Sequence, residues 1–185
     1  MNELNFRVAT EEDAAQIHHL VETAFRTTDI RKGWTDDLGL VSSFRPHIQE
    51  VIDIINKPDS VMLMATNNQN TLVAAVGTSK RDAHYARLFR LAVDTSLQRG
   101  GIGRRVLEYA EDYCQRTWGV TTVGLDALSC RQQLLLWYLR CGYKKTGETT
   151  PFPREKQNDL VLPDDLCFVE FEKAVGIAPA AEQAI

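Results

Sequence analysis

The segment Gln98-Arg99-Gly100-Gly101-Ile102-Gly103 stands between an apolar strand pattern and an amphipathic helical pattern. A helix start offers unpaired N–H groups and the positive end of the helix dipole, and both attract phosphate. Gly101 and Gly103 lack side chains, so the backbone there can approach an anion closely. Arg99, Arg104 and Arg105 add cationic reach. A ligand of pyrophosphate size suits this segment; a plain turn with a helix cap is the alternative. Two familiar phosphate loops do not match. A Walker loop needs Gly-Lys-Ser/Thr after its spacer, and none exists here. A dinucleotide fingerprint needs a small third residue where Val106 stands, and no N-terminal βαβ unit leads into the glycines.

The elements that must hold this segment follow from periodicity. Phe6–Ala9 reads as a first strand, and Thr10 stands where an N-cap belongs, ahead of the acidic Glu11, Glu12 and Asp13. Ala14, Ile17, Val21, Ala24 and Phe25 then recur at helical spacing, predicting a helix from about Glu11 to Arg26. Thr27–Phe44 is polar and reads as an irregular loop around a solitary Trp34, and Pro46 opens a second helix that ends before Pro58. Val61–Ala65 and Thr71–Gly77 form a hairpin, and Tyr85–Val93 is a further strand. The helix after the glycines runs from about Gly101 to Trp118 and stops at Gly119. Thr121–Ala127 alternates, with Val123, Leu125 and Ala127 on one side and Thr122, Gly124 and Asp126 on the other. Leu134, Trp137, Tyr138 and Cys141 form a helical stripe, and strands follow near Tyr143–Glu148 and Cys167–Glu172. The order is β-α-α-β-β-β-α-β-α-β-β, with no repeat and no linker: one mixed α/β domain over residues 4–173, with a frayed Ala-rich tail over 174–185.

Composition narrows the class further. A chain of 185 residues fits one domain with a substantial core. The formal net charge of −4 argues against nucleic acid, which is usually met by a basic face. Cys114, Cys130, Cys141 and Cys167 show no Cys-x-x-Cys spacing and no metal-ligand pattern with His, so reduced thiols and no metal are expected. The N-terminus lacks the pattern of a signal peptide, and no apolar run reaches membrane-spanning length. A cytoplasmic protein is expected.

Arg90-Leu91-Ala92-Val93-Asp94, followed by Gln98-x-x-Gly101-x-Gly103, closely resembles the central motif of the GNAT acetyltransferase superfamily. Trp137-Tyr138-Leu139-Arg140-Cys141-Gly142-Tyr143 resembles its second signature, an aromatic-Tyr pair on a helix with Gly four residues after the Tyr. The resemblance runs from about Phe6 to Lys173 and implies a mixed, mostly antiparallel central sheet flanked by helices. It also implies acetyl-CoA as cosubstrate. Leu91, Ala92 and Val93 would bind the pantetheine arm through their main chain and polarise the thioester carbonyl. The main-chain amides across Gln98, Arg99, Gly100, Gly101, Ile102, Gly103 and Arg104 would hold the pyrophosphate. Tyr138 would be the general acid at the departing sulfur; as a residue of an apolar stripe it also suits a core position. A Tyr near pKa ~10 facing a thiol near ~8.5 transfers its proton uphill by roughly 2 kcal/mol, so hydrogen bonding to the thiolate describes the role better.

An alkylammonium near pKa ~10.4 costs about 4.6 kcal/mol to deprotonate at pH 7, so the attacking amine needs a base. Many relatives carry a Glu on the strand before the glycines, whereas Tyr85-Ala86-Arg87-Leu88-Phe89-Arg90 has no carboxylate. Asp126 is the first substitute, directly or through water, ahead of Asp82 and His84; an ordinary surface carboxylate is its alternative. Many relatives also have Asn where Arg131 stands, seven residues before the Tyr. Arg131 then binds a coenzyme phosphate or a substrate carboxylate, or is a solvated helix-start residue. Ser129-x-Arg131, Thr146-Gly147-Glu148-x-x-Pro151-Phe152-Pro153, Asp165-Leu166-x-Phe168-Val169 and Gly33-Trp34-Thr35 resemble one microbial branch of the superfamily. By the same analogy Trp34, Asp36, Asp37, Glu148 and Phe152 become acceptor-pocket candidates, where aromatic and carboxylate groups select a cationic amine. Each of them also suits a structural place. The leading expectation is N-acetylation of a small-molecule amine, with a protein N-terminus or lysine as the other acceptor class. A non-catalytic acyl-CoA sensor is the reading of another kind. Homodimers are common among such relatives.

Overall fold

Alternation of apolar and polar residues builds one seven-stranded sheet, in which Met62–Ala65 and Val73–Val76 are apolar and buried on both faces. A computed structural model of the chain describes residues 3–26, 34, 40, 46–97, 100–154 and 160–176. The strands are β1 (Asn5–Val8), β2 (Ser60–Thr66), β3 (Leu72–Lys80), β4 (Tyr85–Val93), β5 (Thr122–Leu128), β6 (Lys144–Pro151) and β7 (Cys167–Ala174). Their order in the sheet is β1-β2-β3-β4-β5-β7-β6. Every neighbouring pair is antiparallel except β4 with β5, which is parallel. Among the described residues the helices that pack on this sheet are α1 (Ala14–Arg26), α2 (Ile48–Asn56), α3 (Ile102–Trp118) and α4 (Gln132–Arg140), and these strands and helices follow one another in the order read from the sequence.

Two apolar clusters sandwich the sheet. Ile17 and Val21 of α1 and Val51 of α2 pack on Met62, Met64, Ala75 and Ala92. On the opposite face, Val106, Leu107, Ala110 and Cys114 of α3, with Leu135 and Tyr138 of α4, pack on Leu63, Leu88, Val123, Leu125 and Phe171. Burying side chains of this size contributes roughly 1.5–3 kcal/mol each before entropy is counted.

Boundaries moved where local hydrogen bonding overrode periodicity. The first helix opens with a 3-10 turn, Glu11–Asp13, because Thr10 donates its N–H to Asp13 Oδ2 at 2.9 Å while Arg7 clamps both Asp13 oxygens. The second helix begins at Ile48, after His47 rather than at Pro46; the Pro46 carbonyl faces His18 Nε2 at 2.8 Å. Strand β7 continues to Ala174, and Val175 donates its N–H to the Thr121 carbonyl at 2.9 Å. The sheet therefore outlasts the expected boundary at Lys173, while residues 177–185 of the expected tail lie outside the described residues.

One irregularity shapes the centre. Ala75 pairs with Ala92 but Gly77 pairs with Phe89, so Arg90 and Leu91 share the place opposite Val76. Such a bulge bends its strand, and Arg90 takes φ of +53° there, a left-handed conformation that costs a non-glycine residue about 1–3 kcal/mol. Gly77 makes room for the Phe89 ring, which a Cβ would strike. Beyond the bulge β4 no longer follows β5: the two pair only where Tyr85, Ala86 and Arg87 meet Thr122, Val123 and Gly124.

Candidate functional site

Among the described residues, the parting of β4 from β5 leaves one edge of Leu91, Ala92 and Val93 without a strand partner, while Ala92 and Val93 stay paired with β3. Past Val93 the chain makes a 3-10 turn, Thr95–Leu97, in which Asp94 Oδ1 accepts the Ser96 N–H at 2.9 Å. Helix α3 then starts after Gly101, whose φ of +75° suits glycine. The first helical bond joins Arg105 N–H to the Gly101 carbonyl at 3.2 Å, so the preceding amides have no intrahelical acceptor. Among the described residues, a strand edge with no strand partner thus leads towards an anion-seeking helix start.

The two glycines serve different ends. A Cβ on Gly101 would meet nothing within 4 Å, which leaves the approach open to a ligand. A Cβ on Gly103 would press on Trp137 Cζ2 at 3.3 Å and Val93 Cγ2 at 3.7 Å. Gly103 therefore lets α4 pack against the start of α3, a reason the motif alone does not reveal. Arg104 also differs from expectation: its Nη2 donates to the Arg140 carbonyl at 2.8 Å, capping α4. Gln98 and Arg99 lie outside the described residues. The groups present fit an extended ligand that ends in a pyrophosphate.

Tyr138 is buried at 6% exposure, among Trp137, Tyr143 and Phe171 with ring centroids 5.1, 6.0 and 5.8 Å away. The ring is part of the core on this face of the sheet. Burial pushes its pKa up to about 12; Arg131 pulls the other way, and Asp126 and Cys141 add to the rise. These shifts place the Arg131 and Asp126 charges within electrostatic reach of the phenol.

Asp126 lies on the face of β5 opposite Val123, Leu125 and Ala127, as its alternation predicts. It is ion-paired with Arg87 Nη2, and Arg87 Nη1 meets Glu170 Oε2 at 2.9 Å. Burial raises the Asp126 pKa, the guanidinium opposes the rise, and Glu170 supports it. The outcome is a carboxylate more basic than usual despite its cation. Asp82 instead builds the β3–β4 turn, its Oδ1 accepting the His84 and Tyr85 N–H groups at 2.7 and 2.8 Å. Both Asp82 and His84 are exposed, beside the Tyr85 end of β4 and remote in register from Leu91–Val93.

A cavity of about 630 Å³ opens beside Arg87 and is lined by Tyr85, Thr146, Glu148, Thr149, Thr150, Glu170 and Glu172. Gly124 makes room for the Tyr85 side chain, whose hydroxyl a Cβ there would strike. Glu148 is the acceptor candidate that lines it; Phe152 instead packs on Phe168 at 5.8 Å. The Trp34 carbonyl accepts a hydrogen bond from Arg131 Nε at 2.8 Å, and Asp36 and Asp37 lie outside the described residues. Sequence reasoning missed Arg87, Glu170 and Glu172. The alternation Phe168-x-Glu170-x-Glu172 was the signal that two carboxylates share a sheet face.

Among the described residues no cluster of His, Cys, Asp or Glu is placed to hold a metal ion, and no helix is long and apolar enough to cross a membrane.

The profile of the acetyltransferase (GNAT) family matches residues 17–143. No curated protein matches the sequence. Among solved structures the chain is similar to the ribosomal-protein-S18-alanine N-acetyltransferase from Escherichia coli. That likeness has 17% identity and a TM-score of 0.69, covering 99% of each chain. It is also similar to spermidine N-acetyltransferase from Vibrio cholerae in complex with CoA and spermine. There the identity is 13% and the TM-score 0.65, over 92% of this chain and 95% of that one. At such identities the likeness is one of fold.

Proposed function

Because the chain belongs to the GNAT acetyltransferase family, we propose that it transfers the acetyl group of acetyl-CoA to a primary amine of a small molecule by direct attack. The observation that carries this reading is the parting of β4 from β5 beside the first turn of α3 and the Tyr138 helix. Leu91, Ala92 and Val93 offer main-chain groups to the pantetheine arm, and the amides at the start of α3 take the pyrophosphate. Bound there, the cosubstrate supplies an activated thioester. The amides of the free β4 edge hydrogen-bond the carbonyl oxygen on which negative charge grows during attack.

Tyr138 donates a hydrogen bond to the departing sulfur. With its pKa near 12, full proton transfer to a thiolate of pKa ~8.5 runs uphill by roughly 5 kcal/mol, so the proton stays on the phenol in the main. Asp126, made more basic by burial, accepts the ammonium proton directly or through one water. Among the described residues, the cavity beside it is lined by Glu148, Glu170 and Glu172 around Arg87, a field that favours a cationic acceptor. The solved spermidine acetyltransferase fits this preference as an analogue. Incubation with acetyl-CoA and a library of small amines, with free thiol as readout, is expected to show release that depends on the amine. Coenzyme binding without release for any amine favours the sensor reading, and release with peptides alone favours a protein acceptor.

A further inference from the structure

Arg90 breaks the alternation of β4. Ala86 and Leu88 belong to the apolar cluster under α3 and α4, so regular alternation would send Arg90 into it as well. That cluster holds Val106, Leu107 and Ala110, and a guanidinium among them would lose its hydration without gaining a partner. The bulge opposite Val76 turns Arg90 the other way. On that side Arg90 Nη2 is ion-paired with Glu50 Oε2 of α2, a helix that packs on the opposite cluster. Glu50 is in turn held in the first turn of α2, where its Oε1 accepts the His47 N–H at 3.4 Å.

This arrangement has two costs. Arg90 takes φ of +53°, which disfavours any residue but glycine, and its Nη1 is buried with no hydrogen-bond partner among the described residues. A glycine would avoid both, so the pair with Glu50 is what an arginine adds at this position. The bulge also decides which way the next residues face. Leu91 and Val93 pack on the α3 side and Ala92 on the α1 side; without the extra residue each would turn over. Pairing of β4 with β5 ends at Arg87, so among the described strands β3 alone holds the chain beyond the bulge. Its last bond there runs from the Asp94 N–H to the Val73 carbonyl at 2.8 Å.

We propose that Arg90 is a positioning residue: its ion pair with Glu50 holds the β4 bulge, and the bulge holds the Leu91–Val93 edge in the register that receives the pantetheine arm. The coenzyme half of this inference rests on the acetyl-transfer reading; the hold on the bulge does not.

The test compares Arg90→Ala, Glu50→Gln and the double variant in the full chain. The Glu50 side chain is 42% exposed, so Glu50→Gln breaks the pair with little consequence for folding. Two quantities are read: hydrogen–deuterium exchange over residues 90–94 without ligand, and the acetyl-CoA dissociation constant by calorimetry. Each single variant is expected to speed that exchange by about ten-fold, with residues 62–65 of β2 unchanged. Each should also raise the dissociation constant by about five-fold. The double variant should do no more than Arg90→Ala, because both substitutions break one pair. Fold-changes that multiply in the double variant would overturn the proposal, since the two side chains would then act separately. Exchange that quickens equally in β2 and β4 would overturn it too, leaving a general contribution to stability. Weaker coenzyme binding in Arg90→Ala, with Glu50→Gln like the parent protein, would overturn it by assigning Arg90 to the coenzyme itself. Quicker exchange with unchanged affinity would sustain the hold on the bulge and end its link to the coenzyme; no change in either quantity would end both. If the parent protein binds no acetyl-CoA, the acetyl-transfer reading fails on its own account. Exchange over residues 90–94 then decides the hold on the bulge, a rise sustaining it and no change ending it.

Discussion

Tyr138→Phe is expected to lower kcat by roughly ten- to several-hundred-fold while leaving acetyl-CoA affinity nearly unchanged. A hydrogen bond to a charged group contributes about 1.5–3 kcal/mol, and loss of a donor to a developing charge costs up to about a thousand-fold in other active sites. The ring itself is held by Trp137, Tyr143 and Phe171, and Phe keeps those contacts. Folding stability should therefore change by less than about 1 kcal/mol, which separates a chemical role from a packing one. Main-chain groups on β4 and α3 bind the coenzyme in this reading, so its dissociation constant should stay put. Steady-state kinetics beside a coenzyme titration checks both halves. An unchanged kcat would remove Tyr138 from the mechanism.

Glu111→Ala should destabilise the fold by about 3–5 kcal/mol, the usual consequence of removing one member of a buried ion pair. Glu111 lies on α3 and is 8% exposed. Its Oε1 accepts the Tyr143 hydroxyl at 2.8 Å, and its Oε2 meets Lys173 Nζ at 2.6 Å. Lys173 in turn stands 5.5 Å over the Tyr143 ring. The carboxylate thus joins α3, the turn that follows α4 and strand β7 in one network. Without it a phenol and an ammonium are left in low dielectric with no partner from α3. Glu111→Gln keeps hydrogen-bonding capacity but not charge, and should cost less than Glu111→Ala. Urea denaturation midpoints of the three proteins measure the order; equal midpoints would show that the network contributes nothing net.

Much of this architecture is written locally. Val123, Leu125 and Ala127 alternate with polar neighbours, and all three are buried against the helices on one face of the sheet. Gly119 stops α3 in a left-handed conformation, as a glycine after a helix stripe predicts. The glycine segment and Tyr138 follow from motif spacing. What stayed hidden depends on pairings between distant segments. Arg87 meets Asp126 and Glu170 across 39 and 83 positions, and nothing near Arg87 in sequence announces either partner. The bulge at Arg90 arises from the register between β3 and β4, not from a glycine or proline in β4. Gly103 carries a packing role because Trp137, from another helix, lies on it. Likewise Arg131 reads as a helix-start cation until the fold sets the Trp34 carbonyl beside it.

The proposed placement of the coenzyme between β4 and β5 is tested most directly by backbone hydrogen–deuterium exchange, with and without acetyl-CoA. The expected result is slowed exchange at Leu91–Val93 and through the first turn of α3 from Ile102, with little change at the β3–β4 turn around Asp82. Slowed exchange confined to other elements, or saturating coenzyme with no protection at β4 and α3, would contradict it.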